Sequence, residues 1–185
     1  ADFTADPDKE YFSSQGIVTN PSAVEKIIGG DFDDTFHVQG TSSPLITLDG
    51  GKGNDEYLLF AGAQTVDVKI DDRGNPWNSG DRIDVVGTTG ADDITVTAST
   101  ITFGAGRTAI YVPPPTDSNV LSIRVRGDNH DPEIGGDEAT GDDDVIRIES
   151  TDMAVPVRVE TGLGDDTVIV GDGLVDSIAG LMRAG

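Results

Sequence analysis

Five stretches of the chain share one pattern: a glycine-containing acidic turn runs directly into a short strand-like run. They are Gly29 to Val38 (GGDFDDTFHV), Gly50 to Leu59 (GGKGNDEYLL), Thr88 to Thr97 (TTGADDITVT), Thr140 to Ile148 (TGDDDVIRI) and Thr161 to Val170 (TGLGDDTVIV). Such a unit is too short to bury its own apolar face, so it must stack on its neighbours, and this constrains the fold more than composition does. Marked by the last Asp of each turn, the copies fall at Asp34, Asp55, Asp93, Asp144 and Asp166, separated by 21, 38, 51 and 22 residues. The first and last gaps define a unit of about 21 residues. The two longer gaps can each hold two units, the second with an insertion.

A longer repeat lies over the short one. Asp33 to Asp55 can be laid on Asp143 to Asp166 at an offset of about 110 residues, with one extra residue in the second copy. Both read as acidic turn, strand, polar corner, Pro, strand, Gly-rich acidic turn. The chain accordingly divides into a lead-in over 1–16, a first super-repeat over 17–112, a Pro-rich and acidic insertion over 113–143, and a truncated second super-repeat over 144–185.

Within each unit the pattern is β. Thr35 to Val38, Asp93 to Val96 and Thr167 to Val170 are rich in β-branched residues with near-alternating apolar positions, and Gly, Asn, Asp and Ser bound every run. Three segments break the rhythm. Asp71 to Asp81 reads as a loop with Trp77 at its tip, Pro113-Pro114-Pro115 as a stiff spacer, and Gly127 to Asp143 as an exposed acidic insertion. Helical spacing is confined to Leu174, Ile178 and Leu181 near the end, a stretch that reads equally as another strand pair.

Charge narrows the function. Thirty-four acidic residues against 12 basic give a net charge of −22, so a compact form repels itself unless cations bind, and nucleic acid is excluded as a partner. The absence of cysteine excludes disulfides and thiolate metal sites. No apolar run reaches the roughly 18 residues of a membrane-spanning helix. With no signal peptide and a start and finish in mid-pattern, the chain reads as a mature or excised segment that continues in both directions or packs end to end with copies of itself.

Acidic turns in stacked coils have a specific chemistry available. A hard cation such as Ca²⁺ takes about six to eight oxygen ligands, more than one turn supplies. Coils stacked at roughly 4.8 Å bring successive turns into a ladder of carboxylates that repel one another without a cation between the rungs. The ligand candidates are Asp33, Asp34, Asn54, Asp55, Asp92, Asp93, Asp143, Asp144, Asp165 and Asp166.

The residues also carry a resemblance. GGKGNDEYL (Gly50 to Leu58) resembles the nonapeptide G-G-x-G-x-D-x-U-x of RTX-type calcium-binding repeats, and TGLGDDTVI (Thr161 to Ile169) departs from it only by Thr at the first place. In the other copies Phe32, Ala91 and Asp142 stand at the fourth-place Gly. RTX nonapeptides follow one another directly, whereas these copies are spaced at about 21 residues. As a whole, residues 17–185 are similar to the loosely repetitive segments of very large bacterial surface or secreted proteins. Val24-Glu25, Asp33-Asp34, Val38-Gln39-Gly40-Thr41, Gly162 to Thr167 and Asp71 to Gly74 carry that likeness. The resemblance implies an extracellular, calcium-associated β-solenoid, with Asp55 and Asp166 as its best-formed sites.

Competing readings find less support. His37 and His130 have no partner at zinc spacing, no Gly-x-Ser-x-Gly elbow or Cys nucleophile occurs, and carboxylate pairs are too abundant to single out a catalytic dyad. Arg126-Gly127-Asp128 is a three-letter adhesion match of the kind chance supplies. Asp128 to Glu133 resembles the calcium linkers of cadherin-like tandem domains, which keeps tandem β-sandwich modules as the alternative fold. Trp77 and Tyr11 lack a second aromatic in register to form a sugar-stacking platform.

The expectation is therefore all-β: a right-handed parallel β-helix or β-solenoid of about eight or nine coils, with Asp-rich corners lining one or two edges. Its expected role is a Ca²⁺-stabilised structural or adhesive module, not an enzyme, within a large extracellular or cell-surface assembly. Its expected partners are neighbouring repeats of the same or identical chains, and extracellular polysaccharide. The alternative is a β-helix that binds or processes carbohydrate, as a polysaccharide lyase, hydrolase or epimerase.

Overall fold

The computed structural model describes residues 11–12, 26–38, 45–61, 67–72, 80–104, 107–111, 121–127, 142–151, 155–171 and 182–184. Among the described residues the chain is all-β and contains no helix. The strands are β1 (Tyr11–Phe12), β2 (Lys26–Ile28), β3 (Thr35–Val38), β4 (Leu45–Asp49), β5 (Glu56–Phe60), β6 (Asp67–Ile70), β7 (Arg82–Val86), β8 (Asp93–Val96), β9 (Thr100–Phe103), β10 (Arg107–Tyr111), β11 (Ser122–Arg126), β12 (Val145–Ile148), β13 (Val157–Glu160), β14 (Thr167–Val170) and β15 (Met182–Ala184).

They form a nine-stranded sheet in the order β1-β2-β4-β6-β10-β9-β8-β12-β14 and a six-stranded sheet in the order β15-β13-β11-β7-β5-β3. From β2 to β8, and again from β10 to β15, each strand lies in the sheet opposite to its predecessor. These strands pair in parallel with one two places away in sequence, as in β3 on β5, β5 on β7 and β12 on β14, or four places away across the β8 to β10 stretch, as in β7 on β11, β6 on β10 and β8 on β12. The exception is β8, β9 and β10, an antiparallel meander within the larger sheet that separates β6 from β12.

Alternation within each strand decides what is buried. In parallel register Ile83, Ile123 and Val157 form one inward row of the smaller sheet, and Val85, Val125 and Val159 the next; all six are 2% exposed or less. Ile94 with Ile146 and Val96 with Ile148 do the same in the larger sheet, where the meander sets Phe103 beside Ile94 and Ile101 beside Val96, so the reversed strand keeps its apolar face inward. These rows form one continuous apolar core. Burying each such side chain contributes about 1.5 to 3 kcal/mol. In the larger sheet the rows end at β14, an edge strand whose Val168, Ile169 and Val170 are 38 to 53% exposed.

Outward rows of the smaller sheet carry charge. Asp84 on β7 is fully buried and is met by two guanidinium groups, Arg124 Nε at 3.0 Å and Arg126 Nε at 3.1 Å. Here a buried carboxylate has protein cations as its partners.

Two parts of the sequence reading change. Ser122–Arg126 falls in the stretch read as an insertion, yet it is a central strand between β7 and β13. Its Ile123 and Val125 alternate with Arg and Ser, but lie between the Pro run and the acidic stretch that dominate composition there. Asp71 to Asp81 is not only a break in the rhythm, because its two ends directly follow β6 and directly precede β7. Trp77, Pro113-Pro114-Pro115, His130, Leu174, Ile178 and Leu181 lie outside the described residues, as do the side chain of Tyr11 and most of 1–16. No described helix is long and apolar enough to cross a membrane.

Candidate metal centre

Each acidic turn ends on the residue just before a strand, and parallel stacking brings those residues level. Before β3, β5 and β7 stand Asp34, Asp55 and Asp81 at one edge of the smaller sheet. Before β8, β12 and β14 stand Asp92, Asp144 and Asp166, in turns that leave the smaller sheet by its opposite edge. Strand β7 has an acidic turn at both ends.

The two ladders share one hydrogen-bond rule: the backbone N–H of each rung donates to the carboxylate of the next. Asp34 N–H donates to Asp55 Oδ1 at 2.8 Å and Asp55 N–H to Asp81 Oδ1 at 2.9 Å. Across the sheet Asp92 N–H donates to Asp144 Oδ1 at 2.9 Å and Asp144 N–H to Asp166 Oδ1 at 3.0 Å. The residue before the rung reverses the direction at the surface, with Asn54 N–H donating back to Asp33 Oδ1 at 2.8 Å and Asp165 N–H back to Asp143 Oδ1 at 3.0 Å.

The candidate ligands therefore separate by depth. Asp33, Asn54, Asp143 and Asp165 are exposed and form the outer line, while Asp34, Asp55 and Asp144 are buried and Asp92 and Asp166 half-buried. In the third copy the rung is Asp92, whereas Asp93 begins β8 and pairs with Arg147. That carboxylate turns to the outer surface of the strand, away from the ladder.

Asp55 is the centre of the first ladder. Its Oδ1 is taken by Asp34 N–H, while its Oδ2 is buried without a hydrogen-bond partner, on a residue 1% exposed. Its carboxylate packs directly over Gly50, where any side chain would collide with it. Extending the register Leu48 to Ile70 by two residues puts Asp72 level with Gly50, so the third coil has a carboxylate where the second has no side chain. One oxygen from each of Asp55, Asp72 and Asp81 lies within 4.8 Å of the others. Ligand oxygens held at roughly 2.4 Å from one Ca²⁺ are separated by at most about 4.8 Å, so the spacing suits a single hard cation.

Tyr57 fixes the cluster from below. Its hydroxyl accepts from Gly50 N–H at 2.7 Å and donates to Asp72 Oδ2 at 2.7 Å. Burial and the negative charge of Asp72 hold that hydroxyl well above the usual phenol range, so it stays a donor. Its ring stacks on Phe36 at 5.0 Å between centroids, carrying the support into the preceding coil.

The electrostatics are unfavourable without a cation. Burial pushes Asp55 up to about 7 despite the opposing hydrogen bond from Asp34 N–H, and the charges of Asp72, Asp81 and Asp34 push the same way. Burial likewise pushes Asp81 up to about 6, with Asp72 and Asp33 adding to it. Buried Asp84 has two arginines, whereas Asp55 has no such partner among the described residues. An uncompensated buried carboxylate must either hold a proton or attract a cation.

The chain matches no protein-family model, and comparison with curated proteins and with solved structures returns no match.

Asp81 escapes a reading keyed to Asp-Asp pairs because it follows Gly80 and precedes Arg82, and Asp72, though paired with Asp71, follows a strand where the other pairs open one. A signal was present nonetheless: Gly80-Asp81 opens the strand Arg82 to Val86 just as Asn54-Asp55 opens Glu56 to Phe60, at a spacing of 26 residues where 21 is the rule. Most of the surplus follows Asp72 in the sequence.

Proposed function

We propose that this chain is a calcium-stabilised structural module, a right-handed parallel β-solenoid whose coils alternate between the two sheets and whose acidic edges bind Ca²⁺. The observation that carries the reading is the three-carboxylate cluster of Asp55, Asp72 and Asp81, with a buried Asp55 Oδ2 that no group among the described residues satisfies. Parallel pairing of strands from successive crossings supports the solenoid over tandem sandwiches, whose strands are joined by hairpins and Greek-key connections. Oxygen-only ligation favours a hard cation, and extracellular Ca²⁺ modules work with dissociation constants of about 10⁻⁴ to 10⁻³ M, a range that partly neutral carboxylates reach. The net charge of −22 and the repeat pattern fit a cell-surface or secreted assembly in which such cations are abundant. The exposed row at β14 supports end-to-end packing on a further coil, from the same or an identical chain.

A cation that binds only the folded chain stabilises it by ~2.7 kcal/mol at a hundredfold excess over its dissociation constant. For a chain of this size that raises Tm by about 5 to 10 °C. Thermal unfolding in chelator and in millimolar Ca²⁺ should show that rise, and Asp72→Asn should lose about half of it or more. A Tm indifferent to Ca²⁺ overturns the reading.

A further inference from the structure

The opposite edge of the smaller sheet holds a second set of unsatisfied oxygens. Both carboxylate oxygens of Asp142 and Oδ2 of Asp144 are buried without a hydrogen-bond partner. Asp144 is 1% exposed, and its Oδ1 is already taken by Asp92 N–H. No cationic side chain pairs with either residue among the described residues. The charges of Asp92, Asp142 and Asp166 all bear on Asp144, whose carboxyl burial pushes up to about 6.

The backbone around these residues is built to admit the carboxylates. The Asp144 carboxylate packs over Gly127, and a side chain there would strike both it and the carbonyl oxygen of Thr161. Asp142 stands two residues before the rung Asp144, the place held by Phe32, Gly53, Gly90 and Gly164 in other described coils. Asp142 alone brings a carboxylate to that place, and its carbonyl lies against Gly164 in the next coil. The Asp144 carboxylate thus lies beside the carbonyl oxygen of Thr161 and within reach of the charge of Asp142. A bound cation offsets both carboxylates at once, whereas a proton neutralises one of them.

We propose a second site for a hard divalent cation, ligated by the carboxylates of Asp142 and Asp144, on the edge of the smaller sheet opposite the Asp55, Asp72 and Asp81 cluster. It rests on the reading of the chain as a cation-stabilised module and adds a second, independent point of attachment to it. Asp142 is the ligand that the sequence pattern does not suggest, since Asp143 faces outward and accepts the N–H of Asp165.

Calorimetric titration with Ca²⁺, combined with amide NMR, tests the proposal on the full chain. Asp142→Asn should bind one fewer Ca²⁺ than wild type, and Asp72→Asn should bind one fewer at the other edge. The Asp92 amide, which donates to Asp144, should shift with Ca²⁺ in wild type and in Asp72→Asn but not in Asp142→Asn. The asparagine variant removes a repulsive charge, so its metal-free Tm should equal or exceed that of wild type, which separates lost binding from lost folding. Unchanged stoichiometry in Asp142→Asn, with one site lost in Asp72→Asn, overturns the second site and leaves the first. A still Asp92 amide in calcium-loaded wild type overturns it as well, as does a pH titration in which Asp142→Asn alters only the proton affinity of Asp144. No Ca²⁺ binding by wild type would instead overturn the calcium reading as a whole.

Discussion

The two acidic edges of the smaller sheet follow the same backbone rule and depart from it in different places. On the Asp34, Asp55 and Asp81 side the extra carboxylate is Asp72, which replaces a glycine at a strand end; on the Asp92, Asp144 and Asp166 side it is Asp142, inside the turn. In both ladders the first rung is self-sufficient, because Asp34 Oδ2 accepts Gly30 N–H and Asp92 Oδ2 accepts Thr88 N–H, each at 2.5 Å. In both the second rung has an orphaned Oδ2. Stacking thus dictates where a carboxylate is buried, and one substitution beside the second rung decides whether it has company.

The largest effects should come from the glycines under the second rungs. Gly50→Ala and Gly127→Ala each force a methyl group into a carboxylate and should cost about 2 to 3 kcal/mol in urea unfolding, the upper part of the range of overpacked buried sites. Gly30→Ala, where the nearest atom to the added carbon is Asp34 Oδ2 at 3.5 Å, should cost under about 1 kcal/mol. Equal costs at Gly50 and Gly30 would break the claim that the carboxylate sits on the glycine.

Next in size is the response to pH. The folded-state values of about 7 for Asp55 and about 6 for Asp81 and Asp144 lie above the ordinary 3.8, so the metal-free fold binds protons more tightly than the unfolded chain. The stabilisation from these protons is complete below the ordinary value and is lost as pH rises through about 6 to 7. In chelator, Tm should fall by several degrees between pH 5 and pH 8. Saturating Ca²⁺ should flatten that slope, and Ca²⁺ affinity should rise over the same window. A chelated Tm that climbs with pH would contradict the burial of these groups.

Tyr57→Phe sharpens the contrast, because the Tyr57 hydroxyl supports the extra carboxylate of the first edge, whereas the Thr88 hydroxyl of the second bonds the first rung, Asp92. It leaves Gly50 N–H without its Tyr57 acceptor and removes the Tyr57 hydroxyl from Asp72 Oδ2, and should cost about 1 to 2 kcal/mol while weakening Ca²⁺ binding only at the Asp55 edge. The smallest effect should come from the outer line. Asp33→Ala removes only an exposed bond from Asn54 N–H, and urea unfolding should register under about 0.5 kcal/mol.

The turn-and-strand unit was readable from sequence because both parts are local. Gly and Asp mark the turn, and alternation in runs such as Asp93 to Val96 marks the strand and its buried face. The inner rungs Asp34, Asp55, Asp92, Asp144 and Asp166 were within reach for the same reason. The two carboxylates that complete the clusters were not, since Asp72 gains its meaning from lying level with Gly50, and Asp142 from lying near Asp144 while Asp143 faces outward. Lateral register across coils is a non-local fact, and the longer spacing between Asp55 and Asp81 hides it. The meander escaped for a related reason: Thr97 to Thr100 is an ordinary tight link, and nothing in the sequence there announces that β10 stacks on β6.

Strand β7, with an acidic turn at each end, acts as a phase inversion. Upstream, strands opened by acidic turns lie in the six-stranded sheet; downstream, β8, β12 and β14 place them in the nine-stranded one. The copies at Asp33 to Asp55 and Asp143 to Asp166 therefore match in sequence but exchange sheets in space. The local code specifies a corner and the strand it opens, and is indifferent to which wall receives that strand. Parity of crossings, counted along the chain, is what assigns each acidic corner to its side.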